Sequence, residues 1–101
     1  MAFYLQLVVL TDKGRQSLQE NPDWIKEISK SIELMGVKIV TQYALLGQYD
    51  FVSIIEAPSD EVVAKLSLKL SAMGAFHPTT MAAIPLNTLI DSLKSDKKRP
   101  W

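Results

Sequence analysis

The chain contains no cysteine. Disulfides, thiolate metal sites and cysteine nucleophiles are therefore excluded, and a reducing compartment suits the composition. Histidine occurs once, at His77, so no second imidazole or thiolate is present to share a metal ion with it. Neither sign of charge is in excess, with 11 Lys and Arg against 11 Asp and Glu in 101 residues. A neutral chain has no general attraction for nucleic acid or for anionic membranes. RNA recognition on a sheet needs stacking aromatics beside basic residues, and "FVSIIEA" (residues 51–57) does not supply them. There is no phosphate-cradling glycine loop, no nucleophile elbow, no carboxylate pair at a revealing spacing, no internal repeat and no linker. The opening "MAFYLQLVVL" is apolar but too short to cross a bilayer, and it lacks the basic n-region and cleavage site of a signal peptide. A soluble cytoplasmic protein without metal or cofactor is the expectation.

What is present is an ordinary globular composition, 48% hydrophobic and 22% charged, in a length that suits one domain. Phe3 to Leu10 is rich in strand formers and ends at "TDKG". Thr11 or Asp12 can cap a short helix running to Glu20. "NPDW" predicts a second helical start with Asn21 as cap, Pro22 in the first position and Asp23 at the positive end of the dipole. Trp24, Ile25, Ile28, Ile32 and Met35 then recur at helical spacing until Gly36. Val37 to Leu46 and Asp50 to Ala57 read as a hairpin turning at Gly47 and Gln48. Ser59 caps a further helix with the stripe Val62, Val63, Leu66, Leu70 and Met73, ended by Gly74. Thr79 to Ile84 is a last strand, and Leu86, Leu89, Ile90 and Leu93 mark a final amphipathic turn or two capped by Asn87. "KSDKKRPW" reads as a mobile tail whose Lys97, Lys98 and Arg99 form a solvated basic patch.

The order βαββαβ predicts an α+β fold, the ferredoxin-like plait, with a four-stranded antiparallel sheet and its helices on one face. Residues 1–86 form this domain in that reading, and residues 87–101 a short amphipathic segment and basic tail. Both phases of the strands are apolar: Phe3, Leu5, Leu7 and Val9 alternate with Tyr4, Gln6, Val8 and Leu10. Helices can cover only one of those faces, so the other calls for a second copy of the chain or for the C-terminal segment folded back over it. Leu68, off the stripe of its helix, is a further possible contact.

Gly47, Tyr49, Asp50 and Phe51 in "GQYDF", followed by "EAPSDE", resemble the signature of GYD-domain proteins. "LTDKG" after the first strand and "MGAF" before the last are similar to that family's pattern too, so the resemblance runs from about residue 3 to residue 85. It implies a dimeric α/β barrel and no established biochemical role. The stretch around His77 departs from the pattern, so no role for it comes from the resemblance. More loosely, the chain is similar to the effector-binding domains of Lrp/AsnC-type regulators, which share the plait and a glycine-x-x-aspartate hairpin. That likeness implies small effectors, such as amino acids, bound near the hairpin between subunits. With no helix-turn-helix segment, the chain would be a stand-alone sensing module.

Six residues are candidates for contacting a ligand. Gln6 and Gln42 are polar islands in apolar strands, which either bond to each other or to water or orient a ligand in a cavity. Tyr43 beside Gln42 packs by type and belongs to the same candidate site. Tyr49 and Asp50 begin the third strand, where the carboxylate can accept turn amides and the phenol can sit at an interface; alternatively both line a cleft between subunits. His77 precedes Pro78 in an expected loop and is the one side chain of a type whose ordinary pKa lies near neutrality. A homo-oligomeric small-ligand-binding or regulatory module is the leading expectation. Its partners would be itself and a small effector, not nucleic acid or a membrane. The alternatives are a structural assembly protein or a small cofactor-independent enzyme of the monooxygenase or isomerase kind, which would need His77, Tyr49 or Asp50 to converge.

Overall fold

The computed structural model describes residues 1–97. The elements run β1 (Ala2–Leu10), α1 (Asp12–Glu20), α2 (Trp24–Leu34), β2 (Lys38–Ala44), β3 (Phe51–Ala57), α3 (Asp60–Ala72), β4 (Phe76–Ala83) and α4 (Leu86–Lys97). The sheet has the order β2-β3-β1-β4 with every neighbour antiparallel, which is the ferredoxin-like plait. The expected basic patch lies outside the described residues, except for the backbone of Lys97 that closes α4.

Local chemistry explains most element ends. Thr11 accepts a hydrogen bond from the Gly14 amide at 3.1 Å and starts α1, and Ser59 accepts from Val62 at 3.3 Å to start α3. The start of α1 is pressed against the end of α3. Thr11 donates its amide to the Ala75 carbonyl at 3.0 Å and its hydroxyl to the Gly74 carbonyl at 2.7 Å. Gly14 sits in that contact, and a Cβ there would lie 2.2 Å from the Ala75 oxygen. Only glycine fits.

Four boundaries differ from the sequence reading. Asn21 does not cap α2; its carbonyl accepts from the Trp24 amide at 3.0 Å, closing a turn over Pro22 and Asp23, so α2 begins at Trp24. The β2–β3 connection is not a two-residue turn. Strand β2 stops at Ala44, the Leu45 amide donates to the Asp50 carbonyl at 2.8 Å, and residues 45–50 form the loop, with Gly47 at φ +111°. Strand β4 starts at Phe76 and takes in His77 and Pro78, which an edge strand tolerates. Finally, α4 runs on to Lys97 where a mobile tail was expected, because no helix breaker intervenes before Pro100.

The core lies between the sheet and helices α1–α3. Tyr4, Val8 and Leu10 of β1, Ile55 and Ala57 of β3 and Phe76 of β4 are buried beneath Ile32 of α2 and Val63, Leu66 and Leu70 of α3. Trp24 stacks on Phe76 with centroids 5.2 Å apart. The opposite phase of the strands presents Phe3, Leu5, Leu7, Val9, Val52, Ile54 and Met81, none of which is buried, and no described helix packs against them. Nor does α4 fold back over that face: Leu86, Leu89, Ile90 and Leu93 are all exposed. The uncovered apolar face expected from the pattern is therefore present.

Candidate functional site

The strand register places four polar residues in one row across the helix-facing side of the sheet. Gln42 of β2 pairs with Ser53 of β3, Ser53 with Gln6 of β1, and Gln6 with Thr80 of β4. Neighbouring rows are apolar, Ile39–Ile55–Tyr4–Ala82 on one side and Ala44–Phe51–Val8–Pro78 on the other. Helix hydroxyls close both ends. Ser29 of α2 donates to the Gln42 carbonyl at 3.5 Å, and Ser67 of α3 lies 3.2 Å from the Thr80 hydroxyl. The Gln6 amide nitrogen donates to Thr80 at 3.1 Å.

Alignment of Gln42 with this row depends on a bulge. The β2–β3 register slips between Ile39 and Thr41, so Ile39 and Gln42 face the helices while Thr41 and Tyr43 pair with Ile54 and Val52 on the open side. Without the extra residue Gln42 would point to the other face.

A cleft of about 220 Å³ lies over this row, between α2 and the sheet. Gln6, Gln42 and Ser53 line it on the sheet side, Ile25, Ile28, Ser29 and Ile32 on the helix side, with Phe51, Leu70 and Phe76 among its walls. Burial deepens along the row from exposed Gln42 to Ser53 at 7% and Gln6 at 3% exposure. The polar side chains on the sheet and helix sides of the cleft are amides and hydroxyls, so it offers hydrogen bonds to what enters it.

Of the six sequence candidates, the structure brings Gln6 and Gln42 together in this cleft, has Tyr43 at its edge from a strand position that faces the open side, and leaves Tyr49, Asp50 and His77 out of its lining. Asp50 holds three elements together. Its amide donates to the Val8 carbonyl at 2.9 Å, its carboxylate accepts from the Leu10 amide at 2.7 Å, and Arg15 of α1 approaches it at 4.0 Å. The carboxylate serves the end of β1, not the amides of its own turn. His77 is exposed and pairs with Val9 on the far side of β1, two strand spacings or roughly 10 Å from the strand that Asp50 begins. Tyr49 is half-buried in the loop.

Sequence reasoning missed Ser53, Thr80, Ser29 and Ser67. A lone serine inside "FVSIIEA" is the one visible signal, and only the register shows that it continues a row. Away from the cleft, the Tyr4 hydroxyl donates to the Asp60 carboxylate in the first turn of α3. That hydrogen bond, then burial, then the negative charges of Asp60 and Glu61 hold the phenol pKa above its ordinary value. Among the described residues no cluster of His, Asp or Glu could hold a metal ion, and no helix is long and apolar enough to cross a membrane.

The model of the GYD domain matches residues 4–93. A Thermus thermophilus protein described as the glutamine synthetase and cystathionine beta-lyase binding protein is 42% identical over 95 residues, covering 93% of this chain and 100% of that protein. The crystal structure of an FFRP is similar in fold, with a TM-score of 0.57 over 83% of this chain and 100% of the other, at 19% identity. At that identity the likeness concerns the fold alone.

Proposed function

This chain belongs to the GYD-domain family, and from that premise we propose that it is a homo-oligomeric binding module that regulates other proteins and responds to a small ligand. The observation that carries the reading is the sheet face without a cover. Phe3, Leu5, Leu7, Val9, Val52, Ile54 and Met81 form an apolar surface on the side away from the helices, and soluble monomers rarely leave so large a contiguous patch bare. A second copy laid sheet to sheet buries it with a single self-complementary contact. Residues 1–86 form the pairing domain, and the exposed apolar stripe of α4 extends the surface offered to other chains. Glutamine synthetase and cystathionine beta-lyase, the proteins named for the Thermus thermophilus relative, are the partners to test first. The cytoplasm is the expected place of work. In this reading the ligand sits in the cleft on Gln6 and Gln42, with Tyr43 at its edge; Tyr49, Asp50 and His77 stay outside that lining.

Native mass spectrometry on gently purified protein tests the assembly. An oligomer that falls to the monomer mass on Leu5→Lys supports pairing through the open face. A clean monomer at micromolar concentration would sink it. Binding to immobilised glutamine synthetase and cystathionine beta-lyase tests the regulatory half, which fails if neither enzyme retains the chain.

A further inference from the structure

The geometry points to an uncharged ligand in the cleft between α2 and the sheet: a molecule of about nine non-hydrogen atoms with an apolar body and a carboxamide-like head that both donates and accepts hydrogen bonds. This inference rests on the small-ligand part of the reading above and specifies its chemical class.

Charge decides first. Among the described residues, no carboxylate, ammonium, guanidinium or imidazole side chain lines the cleft. A carboxylate, phosphate or ammonium entering the cleft would lose its hydration and meet no counter-charge, which is costly in an apolar site. Free amino acids and nucleotides are disfavoured on that ground. The polar row then sets the head group. One N–H of the Gln6 amide goes to Thr80, which is engaged with Ser67, and the second N–H is left as a donor. The Gln6 carbonyl oxygen remains as an acceptor at the buried end. The Gln42 carbonyl is occupied by Ser29; its NH2 group remains as a donor at the exposed end. Between them stands the Ser53 hydroxyl, which serves as either. No side-chain nitrogen or oxygen that is fully enclosed lacks a partner among the described residues, so the remaining capacity of Gln6 and Ser53 opens into the cleft. A head with one N–H and one carbonyl satisfies both ends of the row.

The walls set the body. Ile25, Ile28, Ile32, Phe51 and Phe76 offer aliphatic and aromatic surface and no further polar side chain. Size follows from volume. An apolar cavity of about 150 Å³ holds benzene, so the 220 Å³ here admits about nine heavy atoms on the same scale. Because the cleft lies on the helix side, pairing through the open face leaves it intact.

The test uses the full chain and a matched pair of probes, benzamide and benzoate, which share shape and differ in charge. Titration is followed by ¹H–¹⁵N NMR and by calorimetry. We expect benzamide to shift the amide signals of Gln6, Gln42, Ser53 and α2, and to bind at least tenfold more tightly than benzoate. Gln42→Leu, at an exposed position that the fold does not need, weakens benzamide roughly tenfold, and Gln6→Leu does the same with the oligomer mass unchanged. Equal or tighter binding of benzoate overturns the inference, as does indifference to both variants, shifts confined to residues outside the cleft, or no binding by either probe. Native mass spectra of the same preparation separate the two failures. A charged molecule that copurifies refutes the ligand class while the binding module stands; neither a copurified mass nor a probe complex removes both.

Discussion

The two faces of this sheet are built from the same strands and nearly the same residue types, yet they carry different constraints. On the helix side most of the large apolar residues are buried, and one continuous polar row, Gln42–Ser53–Gln6–Thr80, interrupts them. On the open side the apolar residues keep part of their surface, and no described element of the chain covers them. Adjacent residues of β3 show the contrast at its sharpest. Ile55 is 1% exposed in the core, while Ile54 faces outward beside Leu5. A single chain therefore encodes one surface that is finished at folding and another that its described elements leave open.

Breaking each side separately should show this difference. Ile55→Ala leaves a cavity under the helices and costs about 3 kcal/mol of stability, measurable by urea denaturation of the monomer or oligomer alike. Ile54→Ala costs about 1 kcal/mol or less in the folded chain, but it weakens self-association, so the two variants should separate in sedimentation as clearly as in melting. Asp50→Asn tests the join between the faces at the end of β1. Losing the charged acceptor of the Leu10 amide lowers stability by about 1 kcal/mol and raises hydrogen exchange at Leu10 and in the loop 45–50. The smallest effect fades in alkali. Tyr4 keeps its proton to higher pH in the fold than in the unfolded chain, so its contribution is whole below the unfolded phenol pKa of about 10 and is lost as pH rises through the higher folded value. Tyr4→Phe should remove that contribution at neutral pH and flatten the alkaline part of the stability curve, as pH-dependent denaturation would record.

Element order, the helix caps at Thr11 and Ser59, the ends of α2 and α3 and the two-sided apolar sheet were all legible in the sequence, because each depends on residues close together in the chain. The misread start of α2 and length of α4 were local errors, whereas the other two boundaries depended on partners far away. The turn after Ala44 widens because Asp50 is drawn to Val8 and Leu10, some forty residues earlier. Strand β4 begins early because β1 extends far enough to pair with His77 and Phe76. Gln6 and Gln42 stood out as polar islands, but their common row also needs Ser53 and the bulge at Val40, and neither is visible without the register. Asp50 and Tyr49 stood out equally and are absent from the cleft lining, because a carboxylate that finishes a strand looks no different in sequence from one that awaits a ligand.

The same bulge has a second consequence when it is set beside Pro78. The sheet ends in two free edges, β2 and β4. One is kinked where the register slips at Val40 and the other contains a residue with no N–H to give. A straight incoming strand finds no continuous ladder on either edge. Growth by strand addition into fibrils is thus discouraged at both ends, although one face of the sheet is left apolar and open.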